Sequence, residues 1–141
     1  MNEKKILVVD DDRLVLKALQ TRLVEAGFTV KTAENGKKAL DILKQEPFDF
    51  VILDWVMPKI NGFEVLREAR LLKINTPMIM LSSYGQEEQE KGAKELGITD
   101  IFDKAKTPLP ELIEYVKNFL SKQSNISGSK SSNTKVEESS N

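Results

Sequence analysis

The residues of this chain best suited to chemistry are acids placed at the ends of short apolar runs. Asp10-Asp11-Asp12 closes the first run, Asp54 a second, Ser82-Ser83 a third, and Lys104 ends the stretch DIFDK. The 141 residues include no cysteine and no histidine. Thiol chemistry, disulfide scaffolds, imidazole metal sites and a Ser-His-Asp triad are therefore excluded, as is a phosphohistidine carried by this chain. Polar chemistry must rest on Asp, Glu, Lys, Ser, Thr and backbone groups. If Asp10, Asp11 and Asp54 converge, their mutual repulsion calls for a divalent cation. An all-oxygen donor set without imidazole favours Mg²⁺. Lys104 would add a fixed positive charge and Ser82 a hydroxyl. Cation, ammonium, hydroxyl and a carboxylate nucleophile are together the parts needed to hold a phosphoryl group. Taken singly each has a plainer reading: Asp12 as a helix cap, Ser82 as a loop hydroxyl, Lys104 as a solvated lysine. The weight lies in the set.

Convergence requires elements that bring distant positions together. Lys5–Asp10, Phe48–Asp54 and Pro77–Ser82 are continuous apolar runs rich in branched residues, the pattern of strands buried on both faces. Phe28–Ala33 alternates and suits a strand nearer an edge, and Asp100–Lys104 is a short fifth candidate. Helical periods lie between them. Val15, Leu16, Leu19 and Leu23 follow Asp12 and stop at Gly27; Ala39, Leu40 and Leu43 stop at Pro47; Phe63, Val65, Leu66 and Ala69 follow Gly62. Gln86–Leu96 is mostly charged, with Ala93 and Leu96 as a thin apolar stripe, and Leu109–Leu120 carries Leu112, Ile113, Val116 and Leu120. Five strand–helix units in alternation predict a parallel α/β sheet with right-handed crossovers. In such a sheet the site lies outside the carboxyl ends of the central strands, where the acids, serines and lysine fall.

Composition sets the frame. With 40% apolar and 30% charged residues and 21 basic against 22 acidic side chains, the chain has the balance of a soluble domain, and no basic stripe predicts nucleic-acid binding. No apolar run is long enough to span a bilayer and no export signal is evident, so the expected compartment is the cytoplasm. Composition breaks near Ser121. Residues 1–120 read as the folded domain, and residues 121–141, with only Ile126 and Val136 as sizeable apolar side chains, read as a disordered Ser/Asn-rich tail or linker.

Together these motifs make the sequence recognisable. ILVVDDD at 6–12, DFVILDWVMPKINGFEVL at 49–66, TPMIMLSSYG at 76–85 and Lys104 resemble the receiver domain of bacterial and archaeal two-component response regulators, over about residues 4–120. The resemblance implies a flavodoxin-like (βα)5 doubly wound fold with strand order 2-1-3-4-5. It makes Asp54 the phosphoacceptor for a histidine kinase or a histidine phosphotransfer protein. Asp10, Asp11, Asp54 and the backbone carbonyl of Val56 would hold Mg²⁺. Lys104 and the Ser83 N–H would bind the phosphoryl group, and Ser82 would be the switch hydroxyl. Val56 and Tyr84 would shield the phosphoryl group and prolong its lifetime. The chain would then be a signalling protein rather than an enzyme, promoting only its own phosphorylation and dephosphorylation. Its readout would be a shift of the fourth helix, fifth strand and fifth helix toward a target protein or a second copy of itself. Whether it is a stand-alone receiver or part of a larger regulator stays open.

Three positions depart from the family pattern, the mildest being Ser82, which replaces the commoner threonine and keeps the hydroxyl. The switch aromatic of the fifth strand falls at Ile101, with Phe102 expected to face the core, and Lys104 is followed by Ala105 rather than proline. A cis bond before alanine costs about 3 kcal/mol, so a trans bond is expected. Two alternatives compete with phosphoacceptance: a phosphorylation-independent interaction module on a receiver scaffold, and a haloacid-dehalogenase-type phosphatase using Asp10 and Asp12.

Overall fold

A computed structural model describes residues 3–83 and 87–129. The expectations placed on Tyr84 and Gln86 lie outside the described residues, as do those for residues 130–141. Ten elements alternate: β1 (Lys5–Val9), α1 (Arg13–Glu25), β2 (Thr29–Ala33), α2 (Gly36–Gln45), β3 (Phe50–Asp54), α3 (Gly62–Leu71), β4 (Met78–Ser82), α4 (Glu87–Glu95), β5 (Asp100–Asp103) and α5 (Leu109–Ser129). The strands form one parallel sheet in the order β2-β1-β3-β4-β5.

Side-chain period decides the layers. Alternate residues of the central strands feed two separate apolar clusters. One joins Leu7, Val9, Val51, Leu53, Met78 and Met80 to α2, α3 and Ala93 of α4. The other joins Ile6, Val8, Phe50, Ile52, Ile79 and Leu81 to α1 and α5. β3 and β4 are buried at every residue, whereas β2 alternates and β5 is exposed at both ends, as edge strands are. Of the helices, α4 is the most weakly seated: Ala93 is its one side chain in the buried core among the described residues.

Local chemistry sets the boundaries. Asp12 caps α1, its carboxylate accepting from the N–H groups of Leu14 at 2.9 Å and Val15 at 3.4 Å. Gly27 ends that helix at φ 100°, a left-handed conformation that glycine adopts without a Cβ clash. Asn61 and Glu64 close a reciprocal capping box on α3. α5 does not stop at the composition break: its helical backbone continues to Ser129, nine residues past Leu120. Leu120 is buried and residues 121–123 just beyond it are exposed.

Candidate functional site

Register brings the acids together. Val9 lies opposite Leu53, and Asp54 lies opposite Leu81. The residues that follow Val9 and Leu53, Asp10 and Asp54, are therefore neighbours at the carboxyl end of the sheet. Parallel pairing makes this happen without any contact in sequence, because both strands end at the same level. Asp10 and Asp54 are buried, Asp11 is exposed, and one carboxylate oxygen from each lies within 4.8 Å of the others.

Lys104 enters from beyond β5. Its Nζ stands 2.9 Å from Asp10 Oδ2 and 3.3 Å from Asp54 Oδ2. The turn that delivers it is built by Asp103, whose Oδ1 accepts from the N–H of Ala105 at 2.9 Å and of Lys106 at 3.2 Å. The Lys104 N–H donates to the Ser82 carbonyl at 2.8 Å, so the lysine and the serine are held by one backbone bond. The Lys104–Ala105 bond is trans, as expected before alanine. Asp103 was not among the residues singled out from sequence; an Asp followed closely by a tight turn is the available signal.

The electrostatics follow from this crowding. Burial pushes the Asp54 carboxyl up to about 7, the charge of Asp10 adds to the rise, Lys104 opposes it, and Asp11 contributes further. Burial alone would lower the Lys104 ammonium. Its close pairing with Asp10 and the charges of Asp54 and Asp10 outweigh that and raise it. Oδ1 of Asp10 accepts the Asp12 N–H at 2.9 Å, while its buried Oδ2 meets only the lysine in an ion pair, without an aligned hydrogen bond. Three carboxylates against one ammonium leave room for a dication, and an oxygen-only donor set fits Mg²⁺. Asp12 is committed to capping α1 and points its acceptor at the helix.

The other expected residues fall as follows. Ser82 is buried, its Oγ donating to the Ser83 carbonyl at 3.0 Å. Val56, two residues after Asp54, is half exposed. Ile101 is half buried against the α2–α3–α4 cluster, and Phe102 packs on the opposite cluster with an edge-on contact to Tyr115. The loop after Asp54 depends on Gly62: a Cβ there would meet the Asp54 carbonyl oxygen at 2.4 Å, Met80 Sδ at 2.8 Å and Trp55 Cα at 2.9 Å. In the same loop Lys59 takes φ 68°, and the Gly62 N–H donates to the Trp55 carbonyl at 2.8 Å.

Known proteins resemble this chain in sequence and in fold. The family model "Response regulator receiver domain" matches residues 6–117. The chain belongs to the response regulator receiver family. A probable transcriptional regulator ycf27 of Cyanophora paradoxa is 38% identical over 125 residues, covering 89% of this chain and 52% of that protein. The receiver spans about half the length of such curated relatives, or less. The CheY-like receiver domain protein of Methanospirillum hungatei superposes with a TM-score of 0.81 at 27% identity, over 88% of this chain and 98% of that one. The response regulator TrrA of Thermotoga maritima, solved in complex with Mg(2+)-BeF, does so with 0.71 at 35% identity, over 82% and 97%. The receiver fold and its 2-1-3-4-5 strand order, expected from the motifs, are those observed.

Proposed function

We propose that this receiver is the phosphoacceptor of a two-component phosphorelay and that Asp54 carries the phosphoryl group. The observation that carries the reading is the Lys104 ammonium bridging Asp10 and Asp54 at a rim where Asp11 adds a third carboxylate. An Asp54 carboxylate oxygen attacks the phosphorus of a phosphohistidine on a partner kinase or histidine phosphotransfer protein. The P–O bond forms as the P–N bond breaks, and the imidazole departs with the electron pair. Such loose transfer needs positioning and charge neutralisation more than proton chemistry, which suits a site without histidine. Asp10, Asp11, Asp54 and the Val56 carbonyl would hold Mg²⁺, which when bound supplies charge neutralisation at the phosphoryl oxygens. Lys104 holds one phosphoryl oxygen, the Ser83 N–H another, and the Ser82 hydroxyl turns from its present bond toward the new charge.

The added charge then biases the α4–β5–α5 face toward a target protein or a second copy of the chain. Val56 and Tyr84 slow hydrolysis by screening water. The reading includes a cytoplasmic setting, as the sequence leads one to expect; no helix among the described residues is long and apolar enough to cross a membrane. Intact-mass spectrometry after incubation with a small phosphodonor and Mg²⁺ tests the proposal. One phosphoryl adduct is expected, absent in Asp54→Ala and without metal. An adduct that persists in Asp54→Ala would move the acceptor elsewhere.

A further inference from the structure

Asp54 and the residue after it face opposite ways, because side chains alternate along an extended chain. Asp54 faces the acidic rim. Trp55 belongs to the α2–α3–α4 cluster, where it is 1% exposed. Its ring lies nearly parallel to that of Phe63 in the first turn of α3, with centroids 6.3 Å apart and planes at 12°. Its indole N–H donates to Gln89 Oε1 of α4 at 2.8 Å. An indole nitrogen only donates, so the Gln89 amide oxygen must face it. The Trp55 backbone is held on both sides, its N–H donating to the Leu81 carbonyl at 2.9 Å and its carbonyl accepting from Gly62 at 2.8 Å. A shift of the Asp54 backbone therefore moves the indole too.

At the far end of this link, α4 is poorly anchored. Among the described residues its core contribution is Ala93, and Gly92 approaches the Phe63 ring so closely that a Cβ would stand 3.2 Å from two ring atoms. The same Phe63 thus touches both Trp55 and α4. Ile101, which faces this cluster from β5, has no polar atom in its side chain with which to make a comparable bond.

We propose that the Trp55–Gln89 hydrogen bond, backed by Phe63, is the tie through which the Asp54 site sets the position of α4. The inference rests on the Asp54 reading given above. Both are positioning residues: neither touches the reacting atoms. Losing the bond leaves a buried N–H unpaired or frees α4, so occupancy of the rim and the order of α4 become linked quantities.

Hydrogen–deuterium exchange of the α4 peptide in the full chain, with and without Mg²⁺ plus beryllofluoride, tests this. Wild type is expected to change α4 exchange several-fold on adding the ligand. Gln89→Ala, an exposed position, and Trp55→Phe, which keeps the ring stack, should each speed unliganded α4 exchange by about tenfold. Both should lose most of the ligand response, while ¹⁹F NMR shows that beryllofluoride still binds. Gln89→Glu keeps an acceptor oxygen and should restore the response. Unchanged unliganded exchange in both variants, or a ligand response of wild-type size in either, overturns the tie. Failure of wild type to show any bound fluoride signal has a different signature: it overturns the Asp54 reading and the coupling with it.

Discussion

At the amino-terminal end of β1, Glu46 is held between the ammonium groups of Lys5 and Lys31; just past the carboxyl-terminal end of the same strand, Asp10 and Asp54 crowd around Lys104. Both are three-membered charge clusters bridging neighbouring elements. They differ in solvent and in balance. Lys31 is 52% exposed, whereas the Asp10 and Asp54 side chains are 1% and 3% exposed. In the first cluster, hydrogen bonds from Lys31 and then Lys5 hold the Glu46 carboxyl below its ordinary value. In the second, burial and a neighbouring carboxylate drive Asp54 the other way. One cluster is arranged as solvation and stability would arrange it. The other keeps like charges close in a dry place, which burdens the fold and marks the rim as a candidate functional site.

Removing the single cation from the buried cluster should be the most damaging test. Lys104→Met is expected to lower stability by about 3 kcal/mol at pH 8, since two buried carboxylates lose their shared partner. Denaturant unfolding would show it, and adding Asp54→Asn should recover much of the loss through non-additivity. A loss under 1 kcal/mol would mean that the rim is wetter than the burial of Asp10 indicates.

Steric shape at the same rim comes next. Gly62→Ala is expected to lose about 2 kcal/mol, because the new methyl meets backbone as well as the Met80 sulfur. Chemical shifts of the Asp54 and Trp55 amides should move with it, and unmoved shifts would show that the loop yields elsewhere.

The next test reverses sign. A carboxyl whose folded value is raised to about 7 from 3.8 contributes fully below the unfolded value, and that contribution is lost as pH rises through 7. In the presence of a chelator, Asp54→Asn should therefore be more stable than wild type by about 1–2 kcal/mol at pH 8. The gap should close toward pH 5. Equal stabilities at pH 8 would remove the contrast between the clusters.

Glu46→Gln should do least. Glu46 and Lys5 are half-buried and Lys31 is exposed, and pairs that solvent still reaches contribute little, so the thermal midpoint at neutral pH should stay near that of wild type. Because the Glu46 carboxyl is held low, whatever it contributes is present above 4.5 and disappears as pH falls further. A large destabilisation at pH 7 would show the amino-terminal cluster to be structural rather than a solvated decoration.

How much of this was legible in the sequence varies with the physics involved. Buried strands were readable because a parallel sheet covered on both faces demands unbroken apolar runs; Lys5–Val9, Phe50–Asp54 and Met78–Ser82 differ from the expected spans only by trimmed ends. The expected grouping of Asp10, Asp11, Asp54 and Lys104 is the observed one, since strand ends in such a sheet have only one rim to share. The helical continuation of α5 to Ser129 was not legible: composition reports whether a segment can be buried, not whether a helix already begun will continue along the backbone. Trp55 and Gln89 also escaped notice, as their bond joins positions 34 apart in sequence and exists only because α4 lies over the β3 end.

By itself, then, the order of residues determined the alternation of strands and helices, the cap at Asp12, and the kinds of groups available for chemistry. Those depend on local preference and on periodicity, which neighbouring residues settle among themselves. Tertiary structure alone decided that the Lys104 ammonium bridges two buried carboxylates, that Gly62 must lack a Cβ, and that an indole beside Asp54 reaches α4. Such facts are distances between distant parts of the chain, and they come into being only when the sheet closes in one register.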